Sequence, residues 1–196
     1  MPDLTLTPVR PYSLQLSAQG SNPTRRVRDG VLELAFEVAG DARLARVWQR
    51  PDGTLGVRVD DQACGETIAL LRFMLAIDID HNEFLEIAGR DPLLRDVVSR
   101  GRGLRPIRTA TVAHSLVQAI AGQLITAREA RIIEHRIVGK VSRPHAGLLL
   151  PPTCEGLRSL SAAELTRCGL APRRAAALAR FVRTFDIERL RSVETH

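Results

Sequence analysis

Lysine is almost missing from this chain. Of its 28 basic residues only Lys140 is a lysine, and the others are arginine, whose planar fork suits bidentate contact with phosphate; a codon bias would give the same composition. Aromatic residues are equally scarce, at 4% with one Trp and one Tyr. That excludes an aromatic-rich base-stacking sheet or sugar platform and leaves packing to Leu, Ile, Val and Ala. The three cysteines, Cys64, Cys154 and Cys168, are an odd number with no CxxC and no matching histidine spacing, which argues against a disulfide framework and a structural zinc site. A reducing, cytoplasmic setting with no metal is expected. Nowhere does the chain offer the roughly 18 apolar residues of a membrane span, and MPDLTLTPVRPYS has no apolar run behind a basic start, so no membrane partner or export is expected.

With 196 residues, 44% of them hydrophobic, the chain can bury an ordinary core in one large domain or two small ones. Its charge of +6 is uneven: residues 1–104 hold 13 Arg against 15 acids, a net of −2, and residues 105–196 hold 14 Arg and one Lys against 7 acids, a net of +8. A basic half beside a near-neutral one points to a polyanion-binding surface; scattered surface arginines are the plainer alternative.

From Tyr12 to Asp60 the hydrophobic period is near two. YSLQLSA, RRVRD, VLELAFEV, RLARVWQ and TLGVRV read as strands of an antiparallel sheet, with Asp29-Gly30, Gly40-Asp41 and Pro51-Asp52-Gly53 as turns. ETIALLRFMLAID, at 66–78, spaces Ile68, Leu71, Leu75 and Ile77 as a helical stripe able to cover that sheet. HNEFLEIAG forms a short helix, and DPLLRDVVSRG another, with Asp91 as cap, Pro92 in the first helical position and Gly101 as stop. The expected fold is α+β: an antiparallel sheet with its covering helix over 1–78, linking helices over 79–104 and an all-α segment over 105–196.

Within the helical segment, Thr126 with Glu129 and Ser161 with Glu164 form two capping boxes, so helices should begin at Ala127 and Ala162. A helix from Ala110 stopping near Gly122 then leaves Gln123, Leu124 and Ile125 as a tight turn. Ile125, directly before the cap, suits a hydrophobic staple, which leaves Leu124 facing outward. An exposed Leu backed by a basic half has the character of a wedge that pries apart base steps, although either apolar side chain could instead tuck under the turn.

The stretch GLRPIRTATVAHSLVQAIAGQLITAREARIIEHRIVGKV resembles the start of the helix-hairpin-helix DNA glycosylase domain, of the DNA-3-methyladenine glycosylase II type. The likeness rests on Gly103-Leu104-Arg105, on Gly122-Gln123 and on the alanine-rich Ala127 to Ala130. It continues through SAAELTRCGLAPRRAAALARFV, and by pattern into the sheet. It implies removal of alkylated purines from duplex DNA by base flipping, by a monomer, without cofactor. Leu124 would fill the vacated gap; beside it, Gln123 of the GQ pair and Arg128 near the start of the next, basic helix are candidates for DNA contact.

The glycine-rich hairpin and catalytic aspartate that the resemblance implies have no match here. Asp186, the only aspartate after residue 104, fits no such position. Cleavage of a sugar–base bond develops positive charge that wants a carboxylate beside it, so no catalytic residue is assigned and the 196 residues are expected to be part of a longer enzyme or a shortened, inactive relative. Two readings stay open beside the glycosylase: a non-catalytic DNA-binding or damage-sensing module, and a protein interaction domain in which Leu124 is a contact. His114 and His135 lack neighbouring ligand residues and are read as satisfied or surface histidines; Arg128, Arg131, Arg173 and Arg174 are candidates for phosphate contact.

Overall fold

A computed structural model describes residues 3–60 and 64–192. The period-two segments form β2 (Arg25–Arg28), β3 (Val31–Val38), β4 (Asp41–Gln49) and β5 (Leu55–Val59). They are joined at the edge by β1 (Leu4–Leu6), three residues that are too short for a period to announce. The sheet order is β1-β5-β4-β3-β2. Register explains the alternation: Leu4 pairs with Val57 and Leu6 with Leu55 in one antiparallel ladder, and Ala45 with Val59, Val47 with Val57 and Gln49 with Leu55 in the next. Trp48 faces Gly56 in that register, and a Cβ on Gly56 would lie 2.3 Å from the indole, so only glycine lets the ring cross the strand.

YSLQLSA is not a strand. Ser13 Oγ accepts the Leu16 N–H, caps the single-turn α1 (Leu14–Ser17), and puts Leu14 and Ser17 on one buried side. The seven residues alternate as a strand would, but the local serine cap decides for a single helical turn over four of them. The β3–β4 turn also sits one residue earlier than expected, at Ala39-Gly40, where both φ angles are positive, at 53° and 88°. The Asp29-Gly30 turn is where the sequence puts it, with φ of 51° and 76°. β3 departs from simple alternation because Glu33, though buried, bonds Arg26 at 2.6 Å and Arg46 at 3.0 Å on the flanking strands. Burial pushes its carboxyl up, but the two guanidinium groups outweigh that and hold it below the usual range.

The helices read from the sequence follow in order as α2 (Gly65–Leu75), α3 (Asn82–Arg90), α4 (Arg95–Arg100), α5 (Val112–Ala121), α6 (Ala127–Val141), α8 (Ala162–Arg167) and α9 (Pro172–Thr184), and α7 (Cys154–Arg158), capped by Thr153, is one the sequence reading did not contain. A small hairpin of β6 (Pro144–His145) and β7 (Leu148–Leu149) lies between α6 and α7 and interrupts the segment expected to be all-α. α2 buries Leu71, Met74 and Leu75. α4 starts later than Pro92 suggests: Asp91 Oδ1 takes the Leu93 N–H at 2.7 Å in an Asx turn, residues 92–94 stay in a turn, and Leu94 is the cap.

Contacts divide the described residues into two compact units, one holding 3–21, 26–34 and 43–108 and the other 22–25, 35–42 and 109–192. In the first, the GLR connector has a structural role. Gly103, at φ +92°, passes so close to Ser13 that a Cβ would meet its amide nitrogen at 2.9 Å. Arg105 is 1% exposed, its N–H held by Ser17 Oγ and its guanidinium by the carbonyls of Leu104 and Ile79. Arg108 lies over the Phe73 ring, 4.7 Å from its centroid. Arg105, counted in the basic half of the sequence, is therefore not available to a polyanion. Tyr12 donates to the Leu75 carbonyl, and burial pushes its phenol up to about 12.

Candidate nucleic-acid interface

The second unit is built on α5 and α6 and the turn between them. Thr111 caps α5 by accepting the His114 N–H, and Thr126 caps α6 in the full capping box with Glu129, so both helices start within two residues of the sequence reading. Glu129 Oε2 takes the Thr126 N–H at 3.0 Å and its hydroxyl at 2.8 Å. Those bonds keep the carboxylate ionised below the usual range, and the acid in the first turn of α6 is thereby turned to its own helix start. α8 opens on the matching box of Ser161 and Glu164.

Inside, the pair is locked by a polar contact rather than by apolar packing alone. His114 Nε2 lies 2.7 Å from Glu134 Oε1, and Gln118 donates to the same oxygen at 2.8 Å. His114 is fully buried and Glu134 5% exposed. Burial would raise the Glu134 carboxyl, but the hydrogen bonds from His114 and Gln118 and the charges of His114 and Arg25 hold it below its ordinary value. His114 is thus a core histidine but only half satisfied, its Nε2 held by Glu134 and its Nδ1 buried with no hydrogen-bond partner, and His135 is exposed. Among the described residues no cluster of His, Cys, Asp and Glu could hold a metal.

The turn itself divides its two apolar side chains. Ile125 packs against the helical core formed by Val117, Ala121, Ile133, Leu178 and their neighbours. Leu124 is 94% exposed, the most exposed large hydrophobic residue among the described residues, and its φ is +58°. Both features run against a leucine's ordinary preferences. Gln123 and Arg128 are exposed beside it in sequence, as are Arg131 on α6 and Arg173 on α9.

Arg174 differs from the other candidate phosphate contacts. It is only partly exposed, and its Nη1 donates to the Gln123 carbonyl at 2.5 Å. The bond joins residues 51 apart, and no local signal in the sequence could have suggested it. The α8–α9 corner depends on Gly169, at φ +111°, whose absent Cβ would sit 2.9 Å from Ile133 Cγ1. Asp186 is exposed and ion-paired to Arg189 at 3.2 Å, the kind of water-accessible helix-end residue that the sequence suggested.

The structure is therefore an α+β protein in which a helical unit presents a leucine at a corner between two capped helices, with arginines following it along α6. No family model matches the chain. The probable bifunctional transcriptional activator/DNA repair enzyme AlkA of Mycobacterium tuberculosis is 28% identical over 131 residues, which cover 66% of this chain and 26% of that protein. The match thus spans about a quarter of the curated relative's length. Among solved structures, the 3-methyladenine DNA-glycosylase from Archaeoglobus fulgidus superposes with a TM-score of 0.81 at 20% identity, over 97% of this chain and 70% of that one. The apo 8-oxoguanine glycosylase/lyase of Clostridium acetobutylicum superposes with a TM-score of 0.71 at 17% identity, over 98% and 68%. The chain has the fold of these DNA glycosylases over nearly all of its length.

Proposed function

We propose that this chain provides the DNA-engaging part of a base-excision repair glycosylase for alkylated purines, flipping the damaged nucleotide out of duplex DNA and filling its place with Leu124. The observation that carries the reading is the exposure of that side chain: a leucine 94% in water at a helical corner needs a use, and insertion into a base stack is one that a basic surface favours. Gln123 and Arg128 are assigned to the same contact, Gln123 beside the gap and Arg128 on the flanking backbone. The DNA repair name of the M. tuberculosis relative and the 3-methyladenine DNA-glycosylase name of the A. fulgidus structure support the substrate class. A damaged base is extruded more cheaply than a sound one, which gives such an enzyme part of its selectivity.

No catalytic residue is assigned to this chain, since Asp186 is exposed and paired with Arg189. The non-catalytic, damage-sensing module remains the second reading on that observation.

The test is a titration with a duplex carrying an abasic-site analogue and with the same duplex intact, at about 50 and 200 mM salt. Phosphate contacts should weaken binding steeply between the two, by a factor that grows with each contact, and the abasic duplex should bind tighter at both. Binding that is absent or indifferent to salt would overturn the DNA reading. Incubation with alkylated duplex should release no base above background, and release well above it would show that a catalytic group is present after all.

A further inference from the structure

Leu124 occupies the left-handed region, where L side chains rarely rest. Something must hold it there. The ends of the turn are held locally: the Gly122 N–H donates to the Gln118 carbonyl at 2.9 Å, and Ile125 is packed in the core ahead of the Thr126 capping box. The middle is held from far away. α9 begins with Pro172 in its first turn and with Ala175 fully buried in the same core as Ala121, the last residue of α5. From that anchored first turn Arg174 reaches the Gln123 carbonyl. The peptide between Gln123 and Leu124 is the plate whose rotation sets φ of Leu124, so a donor fixed on its oxygen fixes the direction of the leucine.

We propose that Arg174 is a positioning residue for the wedge: its guanidinium, bound to the Gln123 carbonyl, holds the 123–124 peptide so that Leu124 projects into solvent ready to enter a DNA gap. The inference rests on the reading of Leu124 as a wedge. It also separates Arg174 from Arg128, Arg131 and Arg173, which are exposed and suited to phosphate. A planar fork with several N–H donors suits the task better than an ammonium on a flexible stem.

The experiment uses the chain as it stands, with Arg174→Ala and Arg174→Lys made in the parent and in Leu124→Ala. Affinity is measured for a duplex with an abasic-site analogue and for the same duplex intact, and the ratio of the two is the lesion preference. A second readout needs no DNA: the one-bond Cα–Hα coupling of Leu124 by NMR, which separates positive from negative φ. Arg174→Ala should lower the preference by most of the factor that Leu124→Ala removes, should lower it no further in the Leu124→Ala background, and should shift the coupling toward an average over conformers. Arg174→Lys should keep affinity for the intact duplex and recover only part of the preference. An equal loss on both duplexes, with a salt slope smaller by about one contact and an unmoved coupling, would make Arg174 a phosphate ligand and overturn the proposal. If Leu124→Ala itself leaves the preference unchanged, the wedge reading fails, while the coupling still decides whether Arg174 sets the turn.

Discussion

Replacing Leu124 by glycine should strengthen the fold and weaken the function, and the structure sets both magnitudes. At 94% exposure the side chain contributes almost nothing to packing. Its φ of +58° places a branched-chain residue in a region that disfavours L side chains by about 1–2 kcal/mol, whereas glycine enters it freely. Glycine's larger conformational entropy in the unfolded chain takes back about 0.5–1 kcal/mol. The net expectation is a variant as stable as the parent or more so, by up to about 1.5 kcal/mol, which in a domain of this size is up to about 6 °C in Tm. On DNA the sign reverses. A leucine that passes from water into a base-sized gap gains about 1.5–3 kcal/mol, so its loss should weaken binding to an abasic-analogue duplex by roughly 10- to 150-fold. Affinity for the intact duplex, which offers no gap, should change by less than about twofold on the same scale. Chemical denaturation and fluorescence anisotropy measure the two effects on one preparation. Destabilisation by more than about 1 kcal/mol would make Leu124 a structural residue, and unchanged abasic-duplex binding would remove the wedge.

Two further outcomes follow from the helical unit. The Glu134 carboxyl is held below its ordinary value of 4.5, so its share of stability is present above the unfolded value and is lost as pH falls through the lowered folded one. Glu134→Gln should destabilise by about 1–3 kcal/mol near neutrality and flatten the fall in unfolding free energy between neutral and acid pH; parallel pH profiles for parent and variant would refute the assignment. Gly169→Ala combines a φ of +111° with a Cβ 2.9 Å from Ile133, and should cost about 2–5 kcal/mol by chemical denaturation. A loss under about 0.5 kcal/mol would mean that the α8–α9 corner yields easily.

The elements that were legible in the sequence are those whose cause is local. Both capping boxes place their helices to the residue, because serine or threonine and a glutamate three residues on satisfy the same amides that begin the helix. Asp29-Gly30 likewise carries its own turn geometry. The errors fall where local signals compete or are too short: YSLQLSA alternates throughout and still goes to the serine cap, β1 has three residues, and Pro92 is overruled by the Asx turn of Asp91. The GLR motif was legible as a motif, but its physical meaning was not. Arg105 is an arginine inserted among main-chain carbonyls, and no periodicity distinguishes it from a surface cation.

At the interface the same division holds, and it separates the two residues that matter most. The outward direction of Leu124 follows from neighbours one to two positions away: Ile125 must go under to staple the helix, Thr126 must cap it, and the residue left at the tip has nowhere to bury itself. What keeps that tip in a left-handed conformation is a bond from Arg174, which reaches it only because α8, the Gly169 corner and the buried face of α9 return the chain to the same place. A sequence reading sees Arg174 as one cation among many on a basic helix. In the folded unit, the exposure of Leu124 and the burial of Ala175 are linked, since the core that anchors the start of α9 also sets the guanidinium against the Gln123 carbonyl. Loosening that core at Ala175 should therefore free the Gln123 carbonyl and change the conformation of Leu124, which the same NMR coupling reads.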